Sequence, residues 1–324
     1  MGYKAQKKKT EEKEKRIKRA AVIVAGVLVA VLCVLTAFYP ASSWKYYFAL
    51  PKVSPVQAEE LRIHFLSVGE SDATVVEFPD GKKMLIDGGD SSEESAEVVL
   101  RYLNALKINT LDWLVVTSVK NDRTGALDKV FRFKEVKRAV LPKADGAAGT
   151  EYAEVYTEIT KREIPYDYAL NGLTYGDDCG YTFAVLSPNG QVTEEEVENN
   201  ADEHSAVLWL SYGGVSALLC GDVPCTRLQT LILADKIGLL SGVRLAGTQI
   251  IKVANNGKSG SIDTDALAYL QAKTAILSCG SNPNKPSEDT LNVLSAGGLQ
   301  TLRTDESGNV VVSIKAGNYQ ISAN

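Results

Sequence analysis

Four loops in this chain carry residues able to do chemistry, and each follows an apolar, strand-like run. The first is Val68-Gly69-Glu70-Ser71-Asp72, with Asp87-Gly88-Gly89 ending the hairpin behind it. The second is Thr117-Ser118-Val119-Lys120-Asn121-Asp122-Arg123, the third Leu219-Cys220-Gly221-Asp222, and the fourth Val253-Ala254-Asn255-Asn256-Gly257-Lys258-Ser259. Carboxylates at strand ends hold cations or move protons. Here they alternate with cations and amides, and the chain has only two histidines, His64 and His204. Zinc takes nitrogen or thiolate donors, at least three of them from protein. His64 falls in mid-strand, His204 in an acidic loop, and no CxxC or zinc-knuckle spacing exists. Each feature also has a plain reading. Asp122 pairs with Arg123 or caps the next helix, Asp222 caps a turn before Pro224, and Asp87 with Gly88 and Gly89 shapes a loop. Asn255-Asn256-Gly257-Lys258 is an anion-binding loop or an ordinary turn. Cys225 lacks an assignable histidine base, so its thiol reads as inert.

The elements that must position these loops alternate between strands and helices. Residues 61–68 are apolar at every second position, and Thr74–Phe78 and Lys83–Ile86 flank Pro79-Asp80-Gly81, a hairpin signal. Ser91 with Glu94 reads as a capping box for a helix with the stripe Ala96, Val99, Tyr102, Leu103, Leu106. Strands follow at 113–117 and 139–141, with a helix from Gly125 to about Phe131 between them and another over 151–161. The second half repeats the grammar. A hairpin crosses Gly213-Gly214, helices cover 226–236, 263–270 and 288–296, and strands cover 250–253 and 274–278. Short strands near Leu302, at 310–314 and at 319–322 close the chain. Two halves of this kind imply two sheets packed face to face with helices outside.

The N-terminus imposes a compartment. Residues 1–19 hold nine Lys/Arg against three Glu, and the next twenty residues, Ala20 to Tyr39, hold no charge. Such a run is about 30 Å long as a helix, enough to cross a bilayer core. The positive-inside rule then puts residues 1–19 in the cytoplasm as a basic tail, 20–40 in the cell membrane as a single-pass anchor, and the rest outside. Tyr39, Trp44, Tyr46 and Tyr47 sit where an aromatic belt belongs. A cleaved signal peptide shares the basic-then-apolar pattern, and either reading exports the remainder. The stretch Pro40 to Glu60 holds three prolines, Pro40, Pro51 and Pro55; 41–60 reads as a juxtamembrane linker and 61–324 as one large α/β domain. Beyond residue 19 the chain carries 26 Lys/Arg and 37 Asp/Glu, an acidity that argues against broad nonspecific nucleic-acid binding. Lys129, Arg132, Lys134, Lys137, Arg138 and Lys143 gather near one loop and read as a solvated basic face. Cys33 lies in the span; Cys179, Cys220, Cys225 and Cys279 are exported and are expected to be free thiols.

The string LRIHFLSVGESDATVVEFPDGKKMLIDGGD, followed in order by LLCGD, NNGKSGS, LSCGSNPNKP and RTDESGNVVV, resembles the metallo-β-lactamase-fold domains of the ComEC/Rec2 type, the DNA-internalisation competence proteins. The resemblance covers Leu61 to Ser322 and implies a bacterial protein with an αββα sandwich, which here follows the one transmembrane helix read at Ala20 to Tyr39. It also implies a centre of one or two divalent metals, usually zinc, held by a THxDxDH loop, a GD aspartate, paired histidines and a late histidine before proline. Carried over, those positions read Ser118, Lys120, Asp122, Arg123, Asp222, Asn255, Asn256 and Lys285, so two aspartates survive and every histidine is replaced. One ammonium 4 Å from a dication costs roughly 8 kcal/mol at an effective dielectric of 20. No zinc is therefore expected.

Three functions follow. In the first, the fold is a non-catalytic binding module in which Ser118, Lys120, Arg123, Asn255, Asn256, Lys258 and Lys285 form a cationic pocket for an anionic small molecule or polymer, and Asp72, Asp87, Gly88 and Gly89 shape its loops. In the second it is a hydrolase of the phosphodiesterase or nuclease class with an altered site, using one weakly held magnesium or manganese at Asp122 and Asp222. In the third it is a structural part of a cell-envelope or DNA-uptake assembly, with its protein partner unspecified.

Overall fold

The computed structural model describes residues 2–38, 41–144, 150–176 and 180–323. Tyr39, Pro40 and Cys179 lie outside them. Two compact units result, Met1–Ala49 and Leu50–Asn324.

In the first unit a single helix spans Gly2–Phe38, so the basic segment read as a tail is helical as well. Lys, Arg and Glu are good helix formers, and Glu12 and Glu14 stand four residues before Arg16 and Lys18. Within it Glu12–Ala37 is long and apolar enough to cross a membrane, with mean hydropathy 2.9. Residues Ala41–Tyr47 form a 3₁₀ helix where the sequence reads as irregular linker.

In the second unit the alternating strand pattern builds two large sheets, beside a two-stranded pair of Thr110–Leu111 and Glu135–Val136. The first runs, in spatial order, Asn318–Ala323, Val310–Lys315, Glu60–Phe65, Thr74–Glu77, Lys83–Ile86, Trp113–Val115, Ala139–Leu141, Tyr166–Tyr168. The second runs Gln300–Arg303, Thr274–Leu277, Ile250–Lys252, Val215–Leu219, Val207–Tyr212, Tyr181–Ser187, Thr174–Gly176. Inward residues of both, among them Ile63, Phe65, Met84, Phe183, Leu208 and Ile250, make the core between the sheets. The opposite face of the second sheet packs Leu218, Ile251 and Leu277 against Leu228, Ile232, Leu267 and Leu294 of the helices Cys225–Lys236, Thr264–Leu270 and Glu288–Ala296. On the outer face of the first sheet His64 meets Tyr102 of the helix Glu93–Ala105 at 3.0 Å and Glu77 at 3.1 Å, a structural role far from any ligand position. The fold is the αββα sandwich expected.

Several details differ from the sequence reading. Tyr166–Tyr168, Thr174–Gly176 and Tyr181–Ser187 are strands, and Glu194–Asn199 is a helix with a Thr193/Glu196 capping box. The run Tyr181–Ser187 is covered on both faces, so it shows no alternation. The cap of Glu93–Ala105 is Ser92, whose Oγ accepts from Ser95 N at 3.1 Å, rather than Ser91. The helix expected from Gly125 divides into Asn121–Thr124 and Leu127–Phe133. Lys134 is not part of a solvated face: it is buried, its ammonium donates to Asn104 Oδ1 and Ile108 O at 2.6 Å each, and burial lowers its pKa to about 8. Among the described cysteines, Cys33, Cys220, Cys225 and Cys279 are free.

Candidate functional site

The four loops converge at one end of the sandwich because their backbones bond to one another. Asp72 N donates to Asp122 O at 3.1 Å, Gly89 N to Asp72 O at 2.8 Å, and Gly88 N to Arg123 O at 2.8 Å. On the second sheet, Asn255 N donates to Gly221 O at 2.9 Å, and Ala206 N crosses to Thr117 O at 2.7 Å. Gly221 has φ +53°, and a Cβ there would stand 2.6 Å from Ala206 O, so the GD turn requires glycine. Asp87, also at positive φ (58°), accepts from Thr117 N at 2.7 Å and Thr117 Oγ1 at 2.6 Å. These contacts bring the side chains of all four loops together.

At their centre is Arg123, which has no exposed surface. Its Nη2 pairs with Asp72 Oδ2 at 2.8 Å and with Asp222 Oδ1; its Nη1 meets Asp122 Oδ2 at 3.1 Å and Asp122 O at 3.0 Å. Nε lies 3.9 Å from Asp87 Oδ2. Asp72 is shared with Lys252, buried in the strand Ile250–Lys252, whose Nζ approaches Oδ1 to 2.6 Å. Asp222 is shared with Lys120, whose Nζ stands 3.1 Å from Oδ2 and 2.9 Å from Asp202 Oδ1. The network continues through Asn255, which donates to Asp202 Oδ2 at 3.0 Å and accepts from Lys285 Nζ at 3.2 Å.

The charges set one another's protonation. Burial pushes the Asp72 carboxyl up, but Arg123 and Lys252 outweigh it and hold the pKa at about 2. Asp222 is likewise buried, and Arg123 and Lys120 hold it below its ordinary value. At Asp87 burial wins over Arg123 and the Thr117 hydrogen bonds, raising the pKa to about 7. Asp122 is raised by burial, with Arg123 opposing. Arg123 stays charged despite burial because Asp222, Asp72 and Asp122 surround it.

The predicted site residues therefore do meet, but not as a cationic pocket. Arg123 is an internal cation whose charge Asp72, Asp122 and Asp222 consume, and Lys120 is engaged by Asp222 and Asp202. Asp72, expected only to shape its loop, bridges the two buried cations, while Gly88 and Gly89 do sit in the tight loop contacts. Asn256 uses its amide nitrogen to tie Glu70 O at 3.1 Å and Ser278 O at 2.8 Å. Ser118 is buried, and its Oγ has no hydrogen-bond partner among the described residues. Lys258 is exposed on a cleft of about 490 Å³, whose lining includes Glu198, Asp202, Glu203 and Asp222. Cations and carboxylates thus face each other across the mouth, with the carboxylates in excess.

The sequence reading missed Lys252 and Asp202 and gave Glu70 no role beyond its place in the first loop. Glu70 Oε1 accepts from Gly280 N at 2.9 Å and Asn282 N at 2.8 Å, fixing the loop that leads to Lys285. A lysine inside the apolar run Ile250–Val253 was the available signal for Lys252, because lysine is almost never fully buried unless paired.

A divalent metal does not fit this arrangement. Both oxygens of Asp222 already accept from cations, and the guanidinium lies between the two surviving aspartates. Among the described residues no group of three or more His, Cys, Asp or Glu is placed to hold a metal ion.

Sandwich and loop positions define a metallo-β-lactamase-like domain with a rebuilt centre. No protein-family model matches the chain. It is similar to ComE operon protein 3 of Bacillus subtilis (strain 168), 27% identical over 278 residues, which cover 80% of this chain and 34% of that protein. The chain thus spans about a third of the length of that relative. Similar solved structures include the metallo-β-lactamase fold protein YhfI from Bacillus subtilis (11% identity, TM-score 0.47, 81% of this chain and 100% of that one). Another is CmlA, a diiron β-hydroxylase from Streptomyces venezuelae (12% identity, TM-score 0.47, 81% and 55%). The chain therefore resembles the metallo-β-lactamase-fold domains of the ComEC type.

Proposed function

We propose that this chain is a membrane-tethered, extracytoplasmic module of the ComEC type in which the hydrolase fold acts as a non-catalytic scaffold. One observation carries the reading: Arg123, fully buried, occupies the space between Asp122 and Asp222 and binds both, together with Asp72. A guanidinium neutralises the carboxylates as a dication would, but it supplies no Lewis acid and activates no water. The apolar helix supports the tether, and the basic residues before it support a cytoplasmic N-terminus. Magnesium or manganese at Asp122 and Asp222 would require Arg123 to leave a site where four carboxylates face it, so the altered-hydrolase reading is disfavoured. Excess carboxylate at the cleft also disfavours an anionic polymer such as nucleic acid there.

The test uses the full chain purified in detergent. Metal content is measured by elemental analysis, and phosphodiesterase activity is assayed with added zinc and manganese. The expected result is metal far below one per chain and no activity above buffer. Stoichiometric metal accompanied by turnover would overturn the proposal.

A further inference from the structure

In the Leu50–Asn324 unit, the large apolar side chains exposed among the described residues are Leu50 at its edge and three that lie within seven positions of each other. These are Leu233 (57% exposed), Ile237 (62%) and Leu239 (70%). Scattered exposed leucines are ordinary, whereas a cluster marks a contact surface. The helix Cys225–Lys236 buries Cys225, Leu228, Leu231 and Ile232 against the second sheet. Leu233 and Ile237, one helical turn apart, are turned away from that core. Gly238 and Gly242, both at positive φ, then project Leu239 outward in a short loop. This knob carries exposed Lys236 and Arg244. The one acid between residues 226 and 244 is Asp235, and it is spent inward: its Oδ2 accepts from Leu245 N at 2.9 Å, Ala246 N at 3.1 Å and Tyr269 OH at 2.9 Å. A locally basic apolar projection on a domain that is acidic as a whole is the charge pattern that suits an anionic lipid surface.

We propose that Leu233, Ile237 and Leu239 insert into the interfacial region of the membrane, with Lys236 and Arg244 on lipid phosphates, and so dock the domain against the bilayer. The inference rests on the membrane tether proposed above. Chain length makes it geometrically accessible. The residues between Phe38 and Leu50 reach at most roughly 40 Å when fully extended. That keeps the domain at the bilayer surface at high effective concentration, so a weak patch suffices. A lipid surface also suits this knob better than a second copy of the chain, because both copies would bring Lys236 and Arg244 to the same contact.

The full-length chain carrying Leu239→Trp is reconstituted into phosphatidylglycerol-containing vesicles with and without brominated acyl chains, next to the parent chain. The parent provides the tether control: Trp44 follows the span directly, while Trp113 and Trp209 pack within the domain and supply a background common to both chains. The expected result is that bromolipid quenches the added indole as well as Trp44, and that adding Lys236→Glu and Arg244→Glu cuts the former several-fold while leaving the latter. Trp44 quenched with the added indole unquenched overturns the docking and leaves the tether standing. Trp44 unquenched overturns both. An added indole that is shielded only as protein density in the vesicles rises, without bromolipid quenching, identifies a second copy as occupant and also overturns the proposal.

Discussion

Arg123 and Asp72 meet at 2.8 Å in a place where neither side chain reaches solvent beyond a few per cent. Asp72 comes from the loop after the first strand of the first sheet, and its other oxygen is taken by Lys252 from the second sheet at 2.6 Å. One carboxylate thus clamps the two layers of the sandwich at the end where the loops converge. Isolated buried charges cost several kcal/mol each, so such a cluster persists only when every member is paired.

Removing the central cation tests that dependence. Arg123→Met leaves Asp72, Asp122 and Asp222 buried without their shared partner and is expected to destabilise the domain by about 3–5 kcal/mol. Arg123→Lys is expected to recover only part of this, because one ammonium cannot reproduce the fork that reaches three carboxylates. Thermal unfolding of the variants beside the parent decides it; an unchanged melting temperature for Arg123→Met would show that the network contributes nothing.

Lys252→Met probes the other side of Asp72. It removes a 2.6 Å partner from a buried carboxylate and is expected to cost about 3 kcal/mol or more. The double variant Lys252→Met with Asp72→Asn is expected to lose less than the sum of the single changes, since it removes both charges of the pair. Additive losses in that cycle would mean the contact is not coupled.

Acid should unfold the protein through the same group. Asp72 has a folded pKa of about 2, below its ordinary value of 3.8, so its contribution is present above about pH 4 and is lost as pH falls toward 2. The loss is on the order of 2 kcal/mol from this residue, and Asp222, also lowered, adds in the same direction. Asp87 works oppositely: its pKa, raised to about 7, gives stability below pH 4 that is lost as pH rises through 7. Denaturation curves from pH 2 to 8 should show stability rising from pH 2 to about 4, a limb that flattens in Asp72→Asn, and then declining from about pH 4 toward 7, a decline that Asp87→Asn removes.

Chelation supplies a simple contrast with metal-dependent relatives of the fold. With Arg123 among the carboxylates, EDTA is expected to leave the melting temperature unchanged, and added zinc is expected not to raise it. A chelator-sensitive transition would place a structural metal in the domain.

Glu70→Ala should act on a loop rather than on the whole core. It frees Gly280 N and Asn282 N, whose bonds to Oε1 are 2.9 Å and 2.8 Å, and is expected to cost about 1–3 kcal/mol. Amide exchange at Gly280 and Asn282 should quicken more than exchange in the strands; uniform quickening would point to global destabilisation.

The sequence by itself determined the sandwich, the apolar helix and the loss of histidine ligands. Those rest on local periodicity and on the identity of residues in ordered motifs, and both survive without knowledge of contacts. It also located the loops where Asp122, Arg123 and Asp222 would meet. What only the tertiary structure decided is the sign and use of that charge. From sequence, Lys120 and Arg123 read as free cations awaiting an anion, since nothing in their spacing reveals Asp72 fifty residues earlier or Asp202 eighty later. Folding brings those carboxylates within about 3 Å of the cations, and at that range and burial Coulomb attraction leaves Arg123 no charge to offer. Lys252 was visible only as an anomaly in an apolar strand, and its meaning came from the opposite sheet. Long-range pairing of buried charges is a property of the packed layers, so it had to be found there.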